Sequence, residues 1–112
     1  MKAKDSNCPA EFTLAMIGGR WKIPIIFHLL AGRKRFSELA RAIKGVTQKM
    51  LTQQLREMER NGLVVRQVYA QVPPKVEYSL TDLGASLQTV VEAMCDWGEA
   101  HGVTGLSREA RP

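Results

Sequence analysis

The sequence lacks the features of a disulfide scaffold, a membrane span or a metal site. Its two cysteines, Cys8 and Cys95, stand far apart in 112 residues and outside any metal-ligand spacing, so we expect neither a disulfide framework nor a bound metal. No apolar run approaches the roughly 20 residues of a membrane span, and the N-terminus has no signal-peptide core. We therefore expect a cytoplasmic protein with no membrane partner and no cofactor.

Catalytic motifs are missing as well. Neither His28 nor His101 stands at a spacing known for nucleophilic catalysis with either cysteine. The pair Gly18-Gly19 belongs to no phosphate-binding motif, because neither Gly-x-Gly-x-x-Gly nor Gly-x4-Gly-Lys-Ser/Thr occurs. His28 is better explained as a core or boundary residue than as a metal ligand. We expect that the protein is not an enzyme.

Charge is distributed unevenly along the chain. Residues 31–66 hold nine cations and three anions, whereas residues 76–112 hold two cations and six anions, within a net charge of +5. A basic middle beside an acidic end indicates a surface that faces a polyanion. Nucleic acid is the polyanion that this pattern favours.

Residues 47–62 have the pattern of a capped amphipathic helix. Thr47 is a suitable N-cap, Gly62 supplies a left-handed end, and Leu51, Leu55 and Met58 recur at helical spacing. The opposite face carries three cations, two hydrogen-bonding side chains and no carboxylate: Lys49, Thr52, Gln53, Arg56 and Arg60. An ordinary helix with a solvated face would explain this pattern if the helix stood alone.

The neighbouring segments favour a helix-turn-helix with a wing. Helices are predicted over 9–17 and 21–30, and a third over 36–43 is joined by a turn at Gly45 to the helix from Thr47. The third helix would support the fourth, whose outer face could enter the major groove of DNA. Strands over 63–70 and 76–80 follow, and they predict a hairpin. The expected fold class is α+β, mostly α: a winged helix-turn-helix with a two-stranded wing.

The C-terminal part predicts one long helix over 81–101. Its apolar residues repeat at intervals of three and four, as in a coiled-coil seam: Leu80, Leu83, Leu87, Val90, Met94, Trp97 and His101. A helix of about 30 Å is too long for this domain to cover, so we expect a homodimer. The alternative is that the seam packs on its own domain. Cys95, beside the seam, is expected to be a small buried hydrophobe.

Several segments in order carry a family resemblance. They are Cys8-Pro9, Ile17-Gly-Gly-Arg-Trp-Lys22, Arg35-Phe-Ser-Glu-Leu39, Met50-Leu-Thr-Gln-Gln-Leu-Arg-Glu-Met-Glu59, Val72-Pro-Pro-Lys-Val-Glu-Tyr-Ser-Leu-Thr81 and Trp97-Gly98. Together they resemble the HxlR-type transcriptional regulators, bacterial winged helix-turn-helix dimers related to the MarR group. The resemblance covers a domain over about 8–101, and residues 1–7 and 102–112 are expected to be flexible.

The resemblance and the pattern together predict a regulator that binds an inverted repeat in double-stranded DNA. The resemblance implies that the helix from Thr47 reads the major groove, that the wing contacts the DNA backbone, and that the first and last helices form the dimer. Expected DNA contacts are Thr47, Gln48, Lys49, Thr52, Gln53, Arg56, Arg66, Lys75, Arg35 and Ser37, and expected dimer contacts are Phe12, Leu87, Val90, Met94 and Trp97. A winged-helix protein–protein adaptor without DNA binding is the alternative.

Cys8 is a candidate sensor. Some members of the resembling family sense electrophiles, quinones, aldehydes or oxidants through the cysteine that corresponds to Cys8. Because Pro9 favours the first position of a helix, the Cys8 sulfur would lie at the positive end of the helix dipole. Lys4, Arg20 and Lys22 would add positive potential if they lay nearby. The residues alone also allow an unreactive cysteine at a helix start.

Overall fold

The computed structural model describes residues 8–102, where six helices and three strands follow one another. Two segments were expected to be flexible, 1–7 and 102–112. They lie outside the described residues, except for Gly102. The elements are α1 (Pro9–Ile17), α2 (Lys22–Leu30), β1 (Lys34–Arg35), α3 (Phe36–Ala42), α4 (Gln48–Arg60), β2 (Val64–Tyr69), β3 (Lys75–Leu80), α5 (Asp82–Ala85) and α6 (Gln88–His101).

Helices α3 and α4 form the helix-turn-helix. The hydroxyl of Thr47 accepts a hydrogen bond from the Met50 amide at 3.0 Å, as an N-cap does. Gly45 in the turn and Gly62 after α4 have φ values of 87° and 78°, a region that favours glycine. The predicted cap and the predicted end of this helix are both confirmed.

The core lies where α4 meets α2, α3 and the sheet. Leu51, Leu55 and Met58 are at most 1% exposed, which confirms the predicted apolar stripe. They pack with other fully buried side chains from the remaining elements: Ile25, Ile26, Leu39, Leu63 and Val91. Burying a side chain of this size stabilises the fold by roughly 1.5–3 kcal/mol. The apolar contacts therefore hold α4 with its polar face outward.

The sheet has three strands, so the prediction of a two-stranded wing was incomplete. Its order is β1-β3-β2, all antiparallel, with Lys34 opposite Tyr78 and Arg66 opposite the same tyrosine on the other side. The segment between the helices predicted over 21–30 and 36–43 thus contains β1. Two residues are too short for a strand periodicity, and only the pairing with β3 defines them as a strand.

The prediction of one continuous helix over 81–101 was wrong. The chain forms α5, then a turn at Ser86-Leu87, then α6. The chain tightens there, because the Leu87 amide donates to the Gly84 carbonyl oxygen, three residues back, at 3.1 Å. Helix α5 lies close against the start of the wing, where a Cβ on Gly84 would clash with the carbonyl oxygen of Leu63. Thr81 still caps this region, and its hydroxyl accepts from the Gly84 amide at 3.0 Å.

Helix α6 packs on α2 but extends past the core. Val91 is its one buried residue, while Met94 and Trp97 of the predicted seam are 46% and 66% exposed. The prediction that Cys95 is buried was wrong, because this part of α6 lies beyond the core and leaves its thiol exposed. The fold class is confirmed with these corrections: the C-terminal helix is shorter than predicted, and the wing belongs to a three-stranded sheet.

Candidate nucleic-acid interface

The outer face of α4 is an open, polar surface. It is lined by Gln48, Lys49, Thr52, Gln53, Arg56 and Arg60. All of these side chains are exposed except Thr52, which is half-buried. Amides, a hydroxyl and cations are the groups that bind base edges and phosphates. The face therefore has the chemistry that reading a DNA groove requires.

Neither carboxylate of α4 lines this face, although Glu59 borders it beside Thr52 and Arg56. Glu57 lies 3.2 Å from the Nζ of Lys22 on α2, and Glu59 lies 3.8 Å from the Nε of Arg66 on β2. Each negative charge is therefore compensated by a neighbouring element. As a result, the outer face of α4 remains positive next to the position that a phosphate backbone would take.

The junction of α4 with the wing contains a buried tyrosine. Thr52, Arg56, Glu59, Arg66 and Tyr78 line one small concavity there. Burial raises the pKa of the Tyr78 hydroxyl above its usual value, and the nearby Glu59 carboxylate acts in the same direction. Tyr78 is therefore a neutral hydrogen-bonding group at neutral pH.

A charged cluster around Glu77 lies on the wing, towards the turn that joins β2 and β3. Its carboxylate lies 3.5 Å from both Arg33 and Lys75, and the Arg33 guanidinium donates to the Tyr69 hydroxyl at 3.1 Å. Burial alone would raise the pKa of Glu77. The hydrogen bond from Tyr69 and the charges of Lys75 and Arg33 outweigh burial, so the pKa lies below its usual value. Lys75 also lies over the Tyr69 ring, 4.9 Å from its centroid.

Apolar side chains are exposed on the first and last helices. Phe12 and Leu14 of α1 are 70% and 64% exposed, in addition to Met94 and Trp97 of α6. Leu87 and Val90 of the predicted dimer contacts are half-buried and pack partly on their own core. Exposed apolar groups of this size on two helices are typical of an interaction surface.

Cys8 is exposed and occupies the N-cap position of α1, directly before Pro9. The cations that were expected to add positive potential have other partners. Lys22 is paired with Glu57, and the Arg20 guanidinium lies over the Trp21 ring, 4.6 Å from its centroid. Lys4 lies outside the described residues.

No helix between residues 8 and 102 is both long enough and apolar enough to cross a membrane. In the same range, no three His, Cys, Asp or Glu side chains are grouped as metal ligands would be.

Comparison with known proteins agrees with this geometry. Residues 16–105 match the family model described as HxlR-like helix-turn-helix. The chain belongs to the HxlR-like helix-turn-helix family. Among its HxlR-like relatives is YybR of Bacillus subtilis, named as an HTH-type transcriptional regulator, with 54% identity over 95 residues, or 85% of this chain and 76% of the relative. The chain is accordingly a transcriptional regulator of the helix-turn-helix type.

Solved structures of similar proteins superpose well on this HxlR-like chain. The redox regulator HypR in its reduced form is 52% identical, with a TM-score of 0.82 over 87% of this chain and 96% of that one. Diamide-treated YodB from B. subtilis is 41% identical, with a TM-score of 0.71 over 85% and 95% of the two chains.

The predicted DNA contacts of this HxlR-like chain fall into three groups. The α4 residues share one face, whereas Arg66 and Lys75 lie on the sheet and are already paired with carboxylates. Arg35 and Ser37 are exposed at the start of α3, where the Arg35 amide donates to Glu38 at 2.7 Å. The structure thus brings the α4 residues together on one face and places the other four positions on the sheet and at the start of α3.

Sequence reasoning missed two clusters of the HxlR-like fold, one at Lys22 and one at Glu77. Each joins residues more than 30 positions apart, such as Lys22 with Gln54 and Arg33 with Tyr69. No sequence spacing indicates such contacts. One signal was available: Lys22 stands in a largely apolar helix and is a cation at a position where the helix buries its neighbours Ile25 and Ile26.

Proposed function

We propose that this chain is a sequence-specific double-stranded DNA-binding regulator that acts as a homodimer on an inverted repeat. The observation that carries the proposal is the outer face of α4, which holds cations, amides and a hydroxyl while its helix directs Glu57 and Glu59 elsewhere. A protein–protein adaptor would have no need to keep carboxylates away from this face. Binding to a phosphate backbone does require this, because carboxylates on the contact face would repel the phosphates.

Dimer formation is supported by the exposed apolar residues of α1 and α6. Phe12, Met94 and Trp97 would bury much of their surface against a second copy. Two copies related by a two-fold axis would place their α4 helices about 34 Å apart, one turn of B-DNA. An inverted repeat is the DNA symmetry that such a pair matches.

Regulation through Cys8 is the second part of the proposal. Cys8 is exposed at the N-terminal end of α1, next to the apolar residues proposed for the dimer. Two similar proteins, HypR and YodB, have structures described as oxidised and as diamide-treated. An oxidant or electrophile that modified Cys8 would change the start of α1, and with it the proposed dimer contacts.

A gel-shift experiment tests the DNA-binding part. The purified chain is titrated onto its own upstream intergenic DNA and onto a random duplex of equal length at one salt concentration. We expect clear preference for the intergenic DNA, as one complex of dimer size. Equal affinity for both duplexes would contradict sequence-specific binding to that DNA.

The sensor part is tested with matched cysteine variants. We expect diamide or a quinone to lower the operator affinity of the wild type and of Cys95→Ser, and to leave Cys8→Ser unchanged. Both variants lose one exposed thiol, so Cys95→Ser controls for general thiol chemistry. A Cys8→Ser protein that still responded to the oxidant would exclude Cys8 as the sensor.

A further inference from the structure

Lys22 is the one charged residue that is buried among residues 8–102, at 5% exposure. Its Nζ donates to the Gln54 Oε1 at 2.9 Å and lies 3.2 Å from the Glu57 Oε1. Both partners belong to α4, whereas Lys22 begins α2. The contact therefore joins the central helix of the domain to the proposed DNA-reading helix.

An ion pair is a costly way to join two helices. Removing an ammonium from water carries a desolvation penalty that well-packed apolar side chains avoid, so a buried pair is weak evidence for stability. The Glu57 side chain remains 41% exposed, which further weakens the pair as a source of stability. A hydrogen-bonded cation fixes the relative orientation of the groups it joins, whereas an apolar contact does not.

The two partners of Lys22 occupy informative positions on α4. Gln54 and Glu57 are three residues apart, so they lie one above the other on the same flank of the helix. Each directly follows a residue of the outer face, Gln53 and Arg56. Because successive residues of an α-helix are about 100° apart, fixing this flank also fixes where the outer face points.

The residues just before Lys22 hold the turn that leads into α4. Trp21 is 9% exposed, and its ring lies 3.7 Å from the position of a Cβ on Gly45. The Arg20 guanidinium lies over the same ring, and its Nη2 is 3.9 Å from that Cβ position. One short segment, residues 20–22, thus contacts both the turn before α4 and the middle of α4.

From this geometry we infer that Lys22 is a positioning residue for DNA recognition. It sets the rotation of α4 about its own axis, so that Gln53 and Arg56 meet base edges, and it does not itself contact DNA. The inference rests on the proposed function. Loss of Lys22 is expected to reduce discrimination between DNA sequences while leaving affinity for random DNA and its salt dependence unchanged.

Lys22→Met tests this inference in the full 112-residue chain. Methionine retains an unbranched apolar stem and removes the ammonium. Arg41→Met, at an exposed position on α3, also removes one positive charge and is the control. The probe is a duplex obtained by in vitro selection with the wild-type protein from a random library, and a random duplex is the reference.

The measured quantity is the ratio of affinities for the selected and random duplexes. For Lys22→Met we expect that ratio to fall roughly tenfold, about the discrimination of one base contact, with random-duplex affinity within about twofold of wild type. For Arg41→Met we expect the ratio to be unchanged. Circular dichroism at the assay temperature confirms that each variant is folded.

Three outcomes would decide against the inference. If Lys22→Met is folded and keeps the wild-type ratio, Lys22 has only a structural role while the proposed function stands. If Lys22→Met does not fold, Gln54→Met and Glu57→Gln replace it, and two unchanged ratios overturn the inference. If the wild type enriches no sequence from the library, the proposed function fails, and the inference fails with it.

Discussion

The guanidinium of Arg66 lies 3.8 Å from the carboxylate of Glu59, so a wing cation is held by the proposed DNA-reading helix. Both side chains are partly exposed, at 47% and 38%, and an exposed pair of this kind contributes little to stability. The consequence is electrostatic. Arg66 is held close to the proposed DNA-facing side of the domain, where the Glu59 carboxylate partly offsets its charge.

Glu59→Gln is therefore expected to strengthen DNA binding. The substitution releases Arg66 and removes a negative charge near the phosphates, so the affinity for random DNA should rise. The slope of log affinity against log salt should steepen by about one phosphate contact. Fluorescence anisotropy across a salt series measures both quantities. Glu99→Gln, at an exposed site on α6, is the charge-matched control, and equal effects of both variants would contradict a local role.

Arg56→Ala and Gln53→Ala are expected to relax sequence preference. Each should cost on the order of 1–3 kcal/mol on the selected DNA if the contact is to a base edge, and less on random DNA. Arg41→Ala is the control, because Arg41 is an exposed arginine on α3 that lies outside the outer face of α4. Competition binding with the selected and the random duplex gives the ratio of the two affinities. Wild-type ratios for both α4 variants would mean that this face does not read bases.

Met94→Glu is expected to give monomers with little operator binding. Met94 is 46% exposed in the single chain, so a carboxylate there is tolerated by the fold but would be desolvated in the proposed interface. Thr89→Glu, also exposed on α6, adds the same charge and serves as the control. Sedimentation at micromolar concentration gives the assembly state. A wild-type chain that is monomeric yet binds DNA tightly would rule out the dimer.

The Glu77 cluster predicts a pH dependence of stability. Because the pKa of Glu77 in the folded chain lies below its usual value of 4.5, the ionised carboxylate stabilises the fold above that usual value. This contribution is lost as pH falls through the folded pKa. Glu77→Gln should therefore be less stable than wild type at pH 7, and the difference should shrink on acidification. Urea unfolding at pH 7 and at a pH below 4.5 measures the difference in stability between the two proteins. A difference that does not change with pH would contradict the prediction.

Local signals were sufficient to predict α1 to α4. The cap at Thr47, the glycine at 62 and the stripe of Leu51, Leu55 and Met58 all act within one helix, so the sequence contains them directly. The wing strands were predicted for the same reason, since alternation and turn residues are short-range features. The outer face of α4 followed from helical spacing once its buried face was known.

The remaining features depend on packing between distant segments. Strand β1 exists only through its pairing with β3. The turn at Ser86-Leu87 escaped detection because both residues keep αR backbone angles, so the apolar spacing continues across it. The partners of Lys22 and Glu77 are likewise fixed by tertiary contacts, which no spacing in the sequence specifies.

The arrangement of side chains around α4 also bears on how such a regulator can diverge. Residues that would choose the DNA sequence, such as Gln53 and Arg56, are different from those that bury the helix and from Gln54 and Glu57, which bind Lys22. Substitutions on the outer face therefore disturb neither the core nor the contact with α2. A duplicated gene could acquire a new operator through a few changes at these positions and keep the rest of the domain intact.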